Sequence, residues 1–148
     1  MKNNRMSIWK QEFTIEGLND LCQGNMGEHL GIRVIAFGPR QVWASMPVDE
    51  RTRQPVGLLH GGASVALAET LGSVASTLCL KDLGKKTAVG IEINANHLKS
   101  VRSGKVFGCV YPIRLGRSIH VWQIDIFNER GQQTCSSRLT TAIVDLKH

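Results

Sequence analysis

From Gly57 to Leu80 the chain runs for 24 residues with a single formally charged side chain, Glu69. Nearly all the rest are Leu, Val, Ala, Gly, Ser and Thr, and the one weak base is His60. A stretch this apolar has to be covered when the chain folds. A carboxylate inside it costs free energy unless it is paired or its titration is altered. Two readings follow. Either Glu69 is paired with an Arg or Lys from elsewhere in the chain, or it is held there for chemistry. At helical spacing its neighbours are Val65 and Ala66 before it and Gly72, Ser73 and Ser76 after it. That small, partly polar stripe leaves a groove beside the carboxylate and favours the second reading.

The stretch reads as one long helix. Gly61-Gly62 opens it, Gly84 closes it, and Lys81 lies near its C-terminal end. Its apolar positions wrap most of the circumference, so it is expected to be buried on nearly all sides. Glu69, His60 and the Ser and Thr residues argue against a membrane span. Before this helix, residues 14–23 read as a short helix with Thr14 as N-cap and Ile15, Leu18 and Leu21 on one face. A helical turn follows at 26–30, then strands at 32–37 and 41–46 around a Gly38-Pro39 turn, then a loop at 47–59.

After Lys86 the period changes to two, with Val89, Ile91, Ile93 and Ala95 alternating with Gly90, Glu92, Asn94 and Asn96. Strands at 105–113, 119–127 and 134–144 follow, separated by turns at Ser103-Gly104, Leu115-Gly116 and 128–131. Four strands with short connections predict an antiparallel meander. The chain is thus read as a single α+β domain over 1–148, a curved antiparallel sheet wrapped around one long central helix.

His60, Gly61 and Gly62 lie where loop becomes helix. Unpaired N–H groups at a helix start carry partial positive charge, and glycine lets a ligand approach them. Such a start can hold an anion or polarise a carbonyl oxygen, and it can equally be a plain glycine start. Eight residues of helix separate Gly61 from Glu69, a rise of about 12 Å. Reacting groups must lie within about 3.5 Å of one another. If both groups act on one carbonyl, they come from two subunits whose central helices run antiparallel, in a twofold dimer with composite sites. His60 is a cap, a packed side chain or a proton-transfer group. His97 and His120 show no metal-ligand spacing with acidic partners.

The run from Gln54-Pro55 through His60-Gly61-Gly62 to Glu69-Thr70-Leu71-Gly72-Ser73 resembles the signature of hotdog-fold acyl-CoA thioesterases of the phenylacetate-thioesterase type. Gly90-Ile91-Glu92-Ile93-Asn94-Ala95-Asn96-His97 and Leu115-Gly116-Arg117 resemble it too, and the likeness runs from residue 8 to residue 144. The resemblance implies that Glu69 is the catalytic carboxylate, as general base or nucleophile. It implies that Gly61 N–H polarises the thioester carbonyl, with His60 and Gln54 in support and Ser73 lining the opposite side. It implies coenzyme A contacts at Gly90, at His97, Leu98, Lys99 and Ser100, and at Arg114, Leu115, Gly116, Arg117, Ser118 and Ile119. Basic Lys99, Arg114 and Arg117 suit phosphates. The implied assembly is a homodimer or a tetramer of two dimers. The implied reaction needs no metal and no cofactor beyond the coenzyme A of the substrate. A dehydratase or a non-catalytic acyl-CoA sensor are the competing classes. A dehydratase of this fold uses a catalytic His with an acidic partner, where this chain has a Glu on the helix. Residues 1–7 precede the usual start and read as a flexible extension.

The net charge of +6 is scattered, and no aromatic-basic interleaving of the single-strand-binding kind is visible. Coenzyme A phosphates are therefore the expected partner, with no nucleic acid and no membrane. The four cysteines, Cys22, Cys79, Cys109 and Cys135, form no CxxC pair and read as reduced thiols of a cytoplasmic protein.

Overall fold

A computed structural model describes residues 6–147; residues 1–5, within the expected extension, and residue 148 lie outside the described residues. In chain order the elements are α1 (Ile15–Asp20), α2 (Met26–His29), β1 (Arg33–Phe37), β2 (Val42–Pro47), α3 (Gly61–Leu78), β3 (Lys86–His97), β4 (Lys105–Leu115), β5 (Ile119–Asn128) and β6 (Gln133–Asp145). A six-stranded antiparallel sheet, in the order β1-β2-β4-β5-β6-β3, curves around α3 and does not close.

The helix lies directly on the sheet because the facing residues are small or interlock. Leu67, Leu71 and Ala75 pack with Val42, Met46, Val106, Val110, Ile124, Ile126 and Leu139 in one core. Leu71 occupies the space over Gly108, where a Cβ would come within 2.7 Å of its Cδ1. Gly72 in turn takes Leu139 against its bare Cα. Truncating Leu67, which is fully buried, to Ala would cost about 2–5 kcal/mol.

Four expectations are corrected. The meander holds for β4, β5 and β6, but β3 pairs with β6 at the far edge of the sheet, and β2 takes the other edge of β4. Alternation marks a strand but says nothing about its neighbours. The helix α3 ends at Leu78, not at Gly84, and Lys81 lies beyond it. The N-terminal segment stops it there: Lys10 N–H donates to Leu78 O at 2.8 Å, and Gln11 Nε2 donates to Leu80 O at 2.5 Å. The helix is buried on one side only, since Val65, Ala66, Glu69, Thr70, Ser73, Val74 and Thr77 remain half-buried. The helix α1 is shorter than 14–23. Thr14 does cap it, accepting from Gly17 N–H at 3.0 Å, but Leu21 is its C-cap and is 65% exposed.

The two sheet edges differ. At β1, the Asn19 side chain bonds the outward-facing backbone of Val34, donating to its carbonyl at 3.0 Å and accepting from its N–H at 2.8 Å. At β3, the edge away from β6 is uncovered.

A polar knot sits inside the apolar core. Ser76 Oγ accepts from Trp122 Nε1–H at 2.6 Å and lies 2.8 Å from Thr141 Oγ1 and 3.3 Å from His120 Nδ1. Burial pushes the His120 imidazole down from its ordinary value, opposed in part by a hydrogen bond to the Gly116 backbone. The native state therefore binds fewer protons than the unfolded chain in mild acid, and stability falls as pH drops below the ordinary imidazole value of about 6.5. Urea unfolding midpoints measured from pH 8 to pH 5 should show this decline, and His120→Gln should flatten it.

Candidate functional site

The loop before α3 is held in place by its backbone. His60 N–H donates to Thr52 O at 2.8 Å, and Leu59 N–H donates to Val101 O at 2.7 Å. His60 then caps the helix: Gly62 N–H donates to its Nδ1 at 2.8 Å. Only a ring with a free lone pair on Nδ1 can accept this bond, so the hydrogen of the neutral ring sits on Nε2. Gly61 N–H has no acceptor among the described residues. It is one of the orphan donors of the helix start.

Glycine at position 61 lets the His97 ring lie against the helix start. A Cβ there would lie 2.7 Å from His97 Nε2. Beside this contact opens a cavity of about 360 Å³, lined in part by Gln54, Gly61, Ser64, His97, Lys99 and Thr134. Gln54 has its Oε1 engaged by Val56 N–H at 2.6 Å, which leaves its amide NH₂ as the free donor. The Thr134 carbonyl accepts from Leu98 N–H at 2.8 Å and from Lys99 N–H at 3.3 Å, fixing the segment that follows β3. Sequence reasoning missed Ser64, Val101 and Thr134. Ser64 reads as an ordinary residue of the first helical turn, and the other two reach the cavity only through tertiary folding.

Two turns along α3, Glu69 is half-buried and makes no hydrogen bond or ion pair among the described residues. The alternative of a structural Arg or Lys partner is thus not met. Its carboxylate lies over Gly90, where a Cβ would come within 2.5 Å of Oε1. A bulge makes this possible. Gly90 pairs with Thr141 and Glu92 with Thr140, leaving Ile91 as the extra residue. The bulge also corrects the alternation read for β3. Ile93 and Ala95 face the core as expected, but Val89 and Ile91 are 45% and 58% exposed, and Gly90 faces α3. Ser73 lies half-buried one turn beyond Glu69.

The remaining candidates sit at the other end of the strands from His97. The turn containing Gly116, Arg117 and Ser118 is closed by Gly116 N–H to Ile119 O and tied to β6 by Ile143 N–H to Ser118 O, both at 2.8 Å. Gly90 pairs with Thr141 and Thr141 with His120, so Glu69 is level with this turn. Arg114, Arg117 and Lys99 are exposed and form no ion pair among the described residues. The candidate residues of one chain therefore fall into two separate groups. One contains Gln54, Gly61 and the 97–100 segment, with His60 capping its helix. The other contains Glu69, Ser73, Gly90 and the 114–119 turn.

No cysteine competes for a nucleophilic role. Burial pushes Cys79, Cys109 and Cys135 up to about 11 and raises Cys22, which leaves little thiolate at neutral pH. Among the described residues no three His, Cys, Asp or Glu side chains converge as metal ligands would. No described helix is long and apolar enough to cross a membrane.

Comparison with known proteins agrees with this geometry. Residues 56–135 match the family model of the Thioesterase superfamily. The chain is 55% identical to a 1,4-dihydroxy-2-naphthoyl-CoA hydrolase of Escherichia coli over 93% of this chain and 99% of that one. It is 50% identical to the proofreading thioesterase EntH of Cronobacter sakazakii over 93% of this chain and 98% of that one. The crystal structure of a Haemophilus influenzae thioesterase superposes with a TM-score of 0.91 at 56% identity, covering 95% of this chain and 98% of that one. An open sheet wrapped on one helix, an unpaired carboxylate on that helix and a free N–H at its start thus occur in a member of the Thioesterase superfamily of hotdog-fold thioester hydrolases, to which this chain belongs.

Proposed function

We propose that the protein hydrolyses an aromatic acyl-CoA, 1,4-dihydroxy-2-naphthoyl-CoA being the favoured substrate, at sites shared between two subunits. The observation that carries the reading is the unpaired Glu69 carboxylate set over Gly90. The naphthoyl substrate is suggested by the Escherichia coli relative, and with that substrate the reaction would belong to menaquinone synthesis. The second reading, a broad-specificity proofreading thioesterase, rests on the Cronobacter relative.

Strand geometry supports the dimer. The uncovered edge of β3 offers unpaired backbone groups. β3 runs antiparallel to α3, with His97 beside Gly61 and Gly90 beside Glu69. Antiparallel pairing of two β3 strands about a centre near Ile93 brings the His97 end of one strand to the Gly90 end of the other. Glu69 and the 114–119 turn of one subunit then face the cavity at the partner subunit's Gly61. Both half-sites are completed twice by one twofold axis. Two such dimers form the proposed tetramer.

In this composite site the partner's Gly61 N–H donates to the thioester oxygen, where charge develops on attack. The Gln54 amide and the Nε2–H of His60 support the same side. Glu69 takes a proton from water as the water oxygen bonds to the carbonyl carbon, or attacks that carbon itself. The carbon–sulfur bond breaks and coenzyme A leaves as thiolate, which takes up a proton; the water route gives the free acid directly, while direct attack leaves an acyl–Glu69 anhydride that water then cleaves to the acid and the free carboxylate. Ser73 borders the acyl group. Lys99, Arg114 and Arg117, with Gly90 and the backbone of the 97–100 and 114–119 segments, hold the coenzyme A moiety, phosphates included. The +6 charge is accounted for by this ligand, with no role for nucleic acid. Water and protein groups supply every step, so no metal or added cofactor is included. Coenzyme A esters and free thiols both suit a cytoplasmic protein.

Glu69→Gln should lower thiol release from aryl-CoA esters by at least about a hundredfold while circular dichroism and coenzyme A binding stay unchanged; near wild-type turnover would reject the site. Comparing kcat/KM for 1,4-dihydroxy-2-naphthoyl-CoA, benzoyl-CoA and fatty acyl-CoA esters separates the two readings, since a flat profile favours proofreading. Ile91→Pro, placed at the free edge, should shift the sedimentation coefficient to that of a monomer and abolish hydrolysis together.

A further inference from the structure

The side of α3 around Glu69 is made of small residues: Ala68 before it, then Gly72 and Ala75. Around them Leu71 over Gly108 and Leu139 against Gly72 interlock the helix with the sheet. Glu69 meets Gly90 with a clearance too small for a Cβ. A directional contact between the same two surfaces adds a restraint on register that packing alone does not give.

The knot at Ser76 supplies it. Ser76 lies seven residues beyond Glu69, two turns along the same helix face. Its hydroxyl is 2.8 Å from Thr141 Oγ1. Thr141 is the pairing partner of Gly90 on one side and of His120 on the other. Gly90 is the residue beneath the Glu69 carboxylate. The chain of contacts closes on itself: Glu69 to Ser76 through the helix, Ser76 to Thr141 by hydrogen bond, Thr141 to Gly90 across the sheet, Gly90 back to Glu69. Trp122 and His120 fix the hydroxyl from β5, and the His120 ring also bonds the Gly116 backbone. The same knot thus reaches the turn that faces the coenzyme A moiety in the proposed site. Ser76 is fully buried and His120 is 5% exposed, so neither can touch substrate.

We infer that Ser76 and His120 are positioning residues for the thioesterase reaction, setting the register of α3 on β5 and β6 at which the Glu69 carboxylate lies over Gly90. The inference rests on the reading of Glu69 as the reacting carboxylate. Hydrogen bonds add a directional restraint to the interlocked packing, and a displacement of the order of 1 Å at a reacting group is costly in rate.

The test is steady-state thiol release from an aryl-CoA ester, at a temperature where each variant is fully folded by circular dichroism. Ser76→Ala and His120→Ala should each lower kcat about tenfold, with KM within about twofold of wild type. The double variant should be no worse than either single one, because the knot acts as a unit. His120→Gln, whose carbonyl and amide can replace both ring contacts, should restore kcat. Unchanged kcat in Ser76→Ala, losses that multiply in the double variant, or His120→Gln no better than His120→Ala would each overturn the inference. So would a crystal structure of Ser76→Ala with the carboxylate unmoved over Gly90, whatever the assay gives. An active Glu69→Gln in the same assay would instead overturn the reading of the site.

Discussion

The close approach of α3 to its sheet is the constraint from which the rest follows. It is possible because bulk on one surface meets glycine on the other. Leu71 fits over Gly108, Leu139 fits against Gly72, and Glu69 fits over Gly90. Dense packing of this kind leaves no slack for a bulky side chain at any of the three glycines. The third pairing differs from the other two in chemistry, not in geometry. A carboxylate occupies a slot that elsewhere receives leucine, and it does so without a counter-ion among the described residues. The same contact that completes the packing therefore leaves an unpaired carboxylate at the margin of the core.

Much of this was legible in the sequence. The long helix, its glycine start and every strand are marked by composition and period. The single charge in Gly57 to Leu80 singled out Glu69 as a candidate, and the structure gives it no ionic partner among the described residues. The rise along the helix between Gly61 and Glu69 keeps the two apart within one chain. Three things were not legible, each for a physical reason. The helix end is determined by Lys10 and Gln11, about 70 residues away in sequence, and no local pattern at Gly84 reports them. The place of β3 in the sheet depends on partners, which alternation does not encode. The phase of β3 changes at the bulge beside Gly90, so reading the strand as uninterrupted put Val89 and Ile91 on the wrong face.

The distribution of polar groups also separates into two kinds. Ser76, His120, Trp122 and Thr141 satisfy one another inside the core, and among the described residues no buried side-chain donor or acceptor lacks a partner. Around the half-sites the opposite holds. Gly61 N–H, the Glu69 carboxylate and the three basic side chains are without protein partners among the described residues. Saturated polar groups hold the fold, and the unsaturated ones gather at the proposed site.

One asymmetry has a consequence for how copies can join. An open sheet with two bare edges is a monomer of a fibre, because each addition exposes a fresh edge. Here a single amide, Asn19, occupies the β1 edge at Val34 as a strand would, and it offers nothing further to pair with. Pairing through hydrogen-bonded strands is therefore obstructed at Val34 and left open along β3. One side chain makes the two edges unequal, so an edge-to-edge contact between copies favours β3 over β1.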